Sequence, residues 1–285
     1  MSHEQGDGSA ANRVNRRALL RGTAVAGVGA VGLTAASNTA SAGEVIECLK
    51  WEDAPAPYPE IDLASPDVPT RDVPDTSELA LYAHGWMGRN TSDDQAHSYA
   101  TALEAEGYTE PVVSVTWDSN TLNFWGAERN ATTAGERLAE WVRSYRADKP
   151  ETTIRLAGHS LGGRLSLATL EALGGDEVIE TVSLLGAAVD DDSTCVGEDY
   201  GDGIEASAGH VYNYHSRNDA IVCGLYGLTT FGSGVGCDGA ECGGWFRDGE
   251  TPENYTDRDV TDKVDGHCDF PLPDAGCVDQ VVADF

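Results

Sequence analysis

The stretch TTIRLAGHSLGGRLSLATLEAL, residues 152–173, decides how the rest of the chain can fold. It opens with a short apolar run typical of a buried strand, passes through GHSLG at residues 158–162, and continues as an apolar-rich helical pattern that stops at two glycines. A strand, a tight Gly-x-Ser-x-Gly turn and a helix together lift a serine hydroxyl out of a sheet. The glycines allow a crowded backbone that a Cβ would obstruct. The pattern therefore predicts that Ser160 is a nucleophile. Leu161, which begins the helix, would leave its backbone N–H free where negative charge is favoured.

Apolar strands and amphipathic helices alternate on both sides of this stretch. The pattern predicts strands at residues 79–83, 112–116, 181–187 and 211–214, and helices at residues 92–106 and 132–146. Such an alternation predicts a mostly parallel sheet covered by helices on both faces, with right-handed crossovers. Ligands bind such sheets at the carboxyl ends of the strands, which is where Ser160 and His84 both fall.

The composition is strongly acidic. The 285 residues include 48 Asp and Glu against 18 Lys and Arg, a formal net charge of −30, and lysine occurs only three times. Because 40% of the residues are hydrophobic, the charge must coat a folded body rather than a disordered tail. This acid-rich, lysine-poor surface resembles that of proteins from salt-loving archaea and needs counter-ions to stay compact. It disfavours nucleic acid and anionic membranes as partners.

The first 42 residues have the composition of an export signal. The segment NRRALLR at residues 15–21 precedes a Gly/Ala/Val-rich run, and Ala40-Ser41-Ala42 follows. A charged start, a short apolar middle and a small-x-small end predict a signal peptide cleaved after Ala42, and the adjacent arginines resemble a twin-arginine signal. The run is short and glycine-rich for a membrane span, so we expect an extracellular protein with no stable anchor after cleavage. Removing four basic and two acidic residues would take the net charge from −30 to −32.

The remaining chain divides into an acidic, proline-rich arm at residues 43–76 and a catalytic domain at residues 77–285. One strand is expected in the arm near residues 45–49. Within the domain, residues 223–264 are rich in glycine, cysteine and aromatic residues and show no helical or strand period, which predicts a cover loop.

The seven cysteines suggest disulfides in an exported chain, because clustered cysteines in a loop without its own core act as staples. Proximity alone suggests Cys237 with Cys242 and Cys268 with Cys277. A metal site is less favoured, because the Cys237/Cys242 spacing lacks a second close pair. Since seven is odd, at least one thiol is free or bonds another chain.

Together, GHSLGG at residues 158–163 and HGW at residues 84–86 resemble lipases and carboxylesterases of the α/β-hydrolase superfamily, over roughly residues 79–270. The resemblance implies that Ser160 attacks an acyl carbonyl and that His267, in a Gly-His loop after every predicted strand, is the base. The backbone N–H groups of Trp86 and Leu161 would hold the oxyanion. No cofactor or metal is implied, and the partner is a small ester or lipid substrate.

The orienting acid has two candidates. Asp219 follows the strand at residues 211–214 and precedes Ala-Ile-Val, as in the acid loop of the wider superfamily. Asp190 follows the preceding strand, where pancreatic-type lipases place their acid. Asp219 is preferred because Asp190 belongs to an acidic cluster of the type that this surface carries throughout.

The substrate remains open. A serine peptidase or an acyltransferase would use the same site, and a catalytically silent binding protein could share the fold. No long apolar helix suited to a lipase lid is evident, so short or medium acyl esters are the expected substrates.

Overall fold

The computed structural model describes residues 51–229, 233–244 and 247–285. The predicted signal peptide, the strand expected near residues 45–49 and the aromatic residues Phe231, Trp245 and Phe246 lie outside this part of the chain. Among the described residues, no helix has the length and apolar character needed to cross a membrane.

Eight strands form one sheet, in the order β2-β1-β4-β3-β5-β6-β7-β10. Their bounds are β1 Glu60–Asp62, β2 Thr70–Arg71, β3 Glu78–Ala83, β4 Val112–Thr116, β5 Thr153–His159, β6 Ile179–Leu185, β7 Ala208–His215 and β10 Tyr255–Asp259. Every neighbouring pair is parallel except β1 with β2. A separate antiparallel pair is formed by β8 (Gly243–Gly244) and β9 (Arg247–Asp248).

Helices connect the strands. They are α1 Ser92–Ala105, α2 Phe124–Asp148, α3 Leu161–Leu173, α4 Gly201–Ser207, α5 Ala220–Thr229, α6 Val235–Asp238 and α7 Val278–Ala283, with a 3-10 turn at Arg89–Thr91. Helix α2 begins eight residues before the predicted start. Ala127 and Ala131 are fully buried and continue the face of Ala134 and Leu138, but Gly126, directly after Phe124 and Trp125, obscures this period in the sequence.

The helices cover both faces of the sheet. Alternate residues of β3 point into two different cores: Leu79 and Leu81 pack with α2 and α3, whereas Ala80 and Tyr82 pack with α1 and α7. A mostly parallel sheet with helices on both faces and a serine at a strand-to-helix turn is the α/β-hydrolase fold. The predicted fold class is therefore confirmed.

Two segments carry more regular structure than the sequence suggests. The acidic arm contributes β1 and β2 to the sheet edge, and these strands are too short for a period to show. The cover segment 223–264 contains α6, the β8–β9 pair and β10, so the prediction that it lacks strands is wrong. Strand β10 reads YTDRD, with Tyr255 alone buried, because it is the charged outer strand of the sheet.

The disulfides differ from the pairs suggested by proximity. Cys195 bonds Cys242, and Cys223 bonds Cys237. Cys268 is also disulfide-bonded, while Cys277 is a buried free thiol, so both suggested pairs are wrong. Spacing along the chain failed because the loops fold back: α6 packs against β7 and α5, so Cys237 bonds Cys223, 14 residues away, rather than Cys242 nearby in sequence.

Candidate active site

Ser160 lies at the turn between β5 and α3 with a backbone conformation rare for a residue with a Cβ, φ 56° and ψ −122°. A Cβ on Gly158 would lie 2.3 Å from the carbonyl oxygen of Gly162, and one on Gly162 would lie 2.1 Å from that of Ala83. The predicted need for glycine at both positions is confirmed. The turn thus presents the serine at the carboxyl edge of the sheet, and Leu161 is the first residue of α3.

His267 and Asp219 meet at the same edge. Nδ1 of His267 lies 2.7 Å from Oδ2 of Asp219, and both side chains are buried. Because a carboxylate only accepts hydrogen bonds, Nδ1 carries the proton and Nε2 remains as an acceptor. Among the described residues, no hydrogen bond joins Ser160 Oγ to His267; catalytic hydrogen bonds often form only once substrate is bound.

The second oxygen of the Asp219 carboxylate is also held. Oδ1 accepts the backbone N–H groups of Ile221 at 3.1 Å and Val222 at 2.9 Å, so Asp219 caps the N-terminus of α5. This capping explains why the acid precedes Ala-Ile-Val in the sequence. Asp190, the alternative candidate, instead forms a backbone bridge with Gly234 after β6.

Side chains join the loop that carries the acid to the loop that precedes the histidine. Ser216 Oγ donates to the carbonyl oxygen of Val264 at 2.8 Å, and Asn218 Nδ2 donates to that of Thr261 at 2.8 Å. Ser216 is fully buried. Sequence reasoning missed both residues, because nothing in the chain near position 216 signals a partner almost fifty residues away.

Trp86 occupies the loop beside the serine. A Cβ on Gly85 would lie 2.8 Å from the Cβ of Ser160, so the backbone of this loop lies directly against the nucleophile candidate. The Trp86 indole donates to the carbonyl oxygen of Thr121 at 2.7 Å. Within the described residues, neither the backbone N–H of Trp86 nor that of Leu161 has a hydrogen-bond acceptor, as an oxyanion site requires.

His84 supports this loop rather than reaching towards substrate. Its Nδ1–H donates to the carbonyl oxygen of Gly85 at 2.8 Å, and its Nε2 accepts the backbone N–H of Trp117 at 3.2 Å. The Trp117 indole in turn donates to the His84 carbonyl at 2.8 Å. Burial lowers the pKa of His84 to about 4, so it is neutral and fixed in one tautomer near pH 7.

His159, within the elbow itself, makes a contact that sequence reasoning did not anticipate. Its Nε2–H donates to the backbone carbonyl of His267 at 2.7 Å, and the two rings lie 4.7 Å apart. Burial, with the nearby His267 imidazole as a second cause, lowers the pKa of His159 to about 3.

Among the described residues, no group of three His, Cys, Asp or Glu side chains is arranged to hold a metal ion.

No protein-family model and no curated protein matches the chain. Among solved structures, it is similar to esterase PE8, with 13% identity and a TM-score of 0.41 over 73% of this chain and 91% of the other. It is also similar to a serine hydrolase without lid from Xanthomonas campestris, with 16% identity and a TM-score of 0.40 over 78% and 83% of the two chains. A cutinase-like protein from Cryptococcus sp. matches with 15% identity and a TM-score of 0.33 over 41% of this chain and 57% of that chain.

The chain spans about half the length of three of the matching structures: 57% of the cutinase-like protein, 50% of an uncharacterized protein from Bacillus cereus and 52% of a cutinase from Trichoderma reesei. Since the TM-scores quoted lie below 0.5, the chemistry of the site rests on the residues of this chain alone.

Proposed function

We propose that this chain is a serine hydrolase that cleaves carboxylic esters through an acyl-enzyme on Ser160. The observation that carries the proposal is the pairing of a serine in a strained elbow with a buried histidine whose Nδ1 lies 2.7 Å from Asp219. A serine hydroxyl is a weak nucleophile until a base takes its proton, and an aspartate on the opposite ring nitrogen fixes the tautomer that can do so.

The reaction follows from these positions. His267 Nε2 accepts the proton of the Ser160 hydroxyl as its oxygen attacks the acyl carbonyl, and Asp219 stabilises the imidazolium that forms. The backbone N–H groups of Trp86 and Leu161 donate to the tetrahedral oxyanion. His267 then gives its proton to the departing alcohol, and water activated by the same histidine releases the acid and restores the serine.

A fluorophosphonate probe tests the nucleophile directly. We expect the wild-type protein to be labelled on Ser160, and Ser160→Ala to lose labelling and roughly 10⁴-fold or more of its esterase turnover. Ser166→Ala is the matched control, because this serine lies on the same helix and its Oγ donates to the carbonyl of Gly162. Labelling that persists in Ser160→Ala would contradict the proposal.

A substrate panel separates the proposal from its alternatives. Hydrolysis of p-nitrophenyl esters without cleavage of peptides supports an ester hydrolase, whereas cleavage of peptides or transfer of the acyl group to an added alcohol would assign a peptidase or an acyltransferase. A protein that is folded but neither labelled nor active would indicate a binding protein that keeps the fold.

We further propose that the enzyme is secreted and adapted to high salt. Two disulfides within the described residues support an oxidising compartment, and the net charge of −30 supports a surface whose repulsion needs screening. Circular dichroism and esterase activity should both fall when molar salt is removed by dialysis. Full activity in dilute buffer would contradict salt adaptation, while leaving the hydrolase proposal intact.

A further inference from the structure

Three large apolar side chains stand out of the surface beside the candidate oxyanion loop. Met87, Leu122 and Trp125 are 45%, 92% and 60% exposed. Among the side chains that the structure describes, in residues 51–224, 233–243 and 249–285, only two other large apolar ones are comparably exposed, Val178 and Val196. Single exposed apolar residues are ordinary, but three in one place on an otherwise acidic chain indicate an interaction surface.

Hydrogen bonds and ring packing hold the three segments together. The Met87 backbone N–H donates to the carbonyl of Ser119 at 3.3 Å, and the Trp86 indole donates to that of Thr121, which directly precedes Leu122. The ring of Trp86 packs edge-on against Phe124, the neighbour of Trp125, with centroids 5.3 Å apart. We call Met87, Leu122 and Trp125 the apolar rim.

The rim adjoins the site. Gly85, which packs against the Cβ of Ser160, is two residues from Met87 along the chain. The rim therefore lies next to the position where an ester carbonyl would meet the serine and the Trp86 N–H. Met87 also holds a left-handed backbone conformation, φ 61°, which is unfavourable for a residue with a side chain.

We propose that the apolar rim docks the enzyme onto the surface of an uncharged, water-insoluble ester and guides its acyl chains towards Ser160. This inference rests on the proposed function and assigns its substrate class. The short or medium acyl chains expected from the sequence are compatible with it; the exposed side chains beside the oxyanion loop add that the ester is presented at a water-insoluble surface.

The charge of the protein selects the kind of surface. Two ion pairs lie close to the rim along the chain: Arg89 with Asp118 at 3.3 Å, and Glu128, one turn after Trp125 on α2, with Arg164 at 2.9 Å. With a net charge of −30, the body would be repelled by anionic lipid. The apolar rim can bury its side chains against an uncharged ester droplet without that repulsion.

Adsorption to tributyrin droplets tests the inference apart from catalysis. All variants carry Ser160→Ala, so that droplets are not consumed, and all are compared in the same molar salt. The rim variant is Leu122→Ser with Trp125→Ser, and the matched control is Val178→Ser with Val196→Ser. Met87→Gly is a second rim variant, which removes a side chain and relieves the left-handed backbone at once.

We expect the double rim variant to partition onto droplets roughly tenfold less or weaker still, because burying one leucine-sized side chain changes an equilibrium constant by about that factor. The valine control should partition like the parent. Equal adsorption of all variants, or an equal loss in rim and control, would overturn the inference. So would a parent that dimerises in sedimentation through this patch while the rim variant is monomeric.

The active enzymes complete the test. With the serine restored, the rim variant should keep wild-type turnover of soluble p-nitrophenyl acetate and lose rate on tributyrin emulsion. Loss of both rates would overturn the rim as a docking surface. Adsorption without any hydrolysis by the wild type would instead count against the proposed function, so the two failures are distinguishable.

Discussion

The serine and the aspartate–histidine pair reach the same edge of the sheet by different kinds of support. Ser160 is held by a central strand and a buried helix that lie within about twenty residues of sequence, and by close glycine contacts in the core. Asp219 and His267 stand on loops that are joined to each other by side-chain hydrogen bonds, and the Cys223–Cys237 disulfide ties α5, which Asp219 caps, to α6. Core packing has no redox chemistry, whereas a disulfide can be reduced. The pair is therefore the part of the site that chemical conditions should disturb first.

Replacing the acid of the aspartate–histidine pair should have the largest effect on turnover. Asp219→Asn should keep the fold and reduce turnover by up to roughly 10⁴-fold, because an amide cannot stabilise the imidazolium and favours the wrong tautomer. Asp190→Asn should stay within a few-fold of wild type, since Asp219 is the carboxylate on His267 Nδ1. Steady-state kinetics at equal salt, with circular dichroism as the control for folding, measure both. A collapse of Asp190→Asn beside a near-normal Asp219→Asn would reverse the assignment.

The features supported by nearby residues could be predicted from the sequence, and those supported by distant residues could not. The elbow, the strands of the sheet centre and most helix positions are visible because periodicity, glycine spacing and caps are local signals. Strand β10 was missed because three of its five side chains are charged on an exposed edge. Helix α5 directly after Asp219 lies in a segment whose glycines and cysteines obscure its period.

The site divides similarly. Ser160, Leu161 and the loop at Trp86 could be named from motifs, and the contact of Asp219 with His267 agrees with the preferred pair. The links that hold the pair, Ser216 with Val264 and His159 with His267, join residues 48 and 108 positions apart and leave no pattern in a single sequence. The disulfide pairs could not be derived for the same reason.

Removing the two disulfides one at a time should affect the free energy of unfolding and the turnover in opposite order. Replacing Cys223 and Cys237 by serine removes a link across 14 residues, and replacing Cys195 and Cys242 removes one across 47. Chain entropy predicts losses of about 3 and 4 kcal/mol in the free energy of unfolding. Only the first link anchors the helix that Asp219 caps, so we expect the first variant to lose more turnover although it is the more stable of the two.

Thermal melts would measure the stability of the two variants, and kinetics below both unfolding transitions would measure their turnover. A greater loss of turnover in the second variant would argue against the role of α5 as the support of the acid.

Lowering the pH should destabilise the protein through the two buried histidines. The pKa of His84 is lowered from 6.5 to about 4 and that of His159 to about 3, chiefly by burial. The unfolded chain therefore binds more protons than the folded chain below pH 6.5, and stability is full above this value and lost as the pH falls towards 4 and 3. The loss should reach up to about 1.4 kcal/mol per histidine per pH unit. Denaturant titrations of wild type and His159→Gln at pH 7.5, 6.5 and 5.5 isolate one histidine, since the carboxylates common to both chains cancel. Identical slopes for the two proteins would contradict the buried neutral state of His159.

His159 offers the smallest but most specific test, because it is the one side chain of the elbow that bonds the histidine loop. Its Nε2–H donates to the His267 carbonyl at 2.7 Å, so it positions His267 without facing the substrate. His159→Leu removes the donor and leaves the buried His267 carbonyl without a partner. If His267 shifts to relieve this cost, we expect the rate to fall about tenfold. His159→Gln, which can place an amide N–H near the same point, should recover most of that loss. The effect should appear in kcat and in the rate of fluorophosphonate labelling, with KM nearly unchanged, because His159 is buried and its Nε2 bonds the protein backbone. A merely structural role would lower the melting temperature of both variants without this split between kcat and KM. If Leu and Gln variants were equally slow, the hydrogen bond would not be what joins the elbow to the pair, and the Ser216 and Asn218 contacts would have to hold the histidine loop on their own.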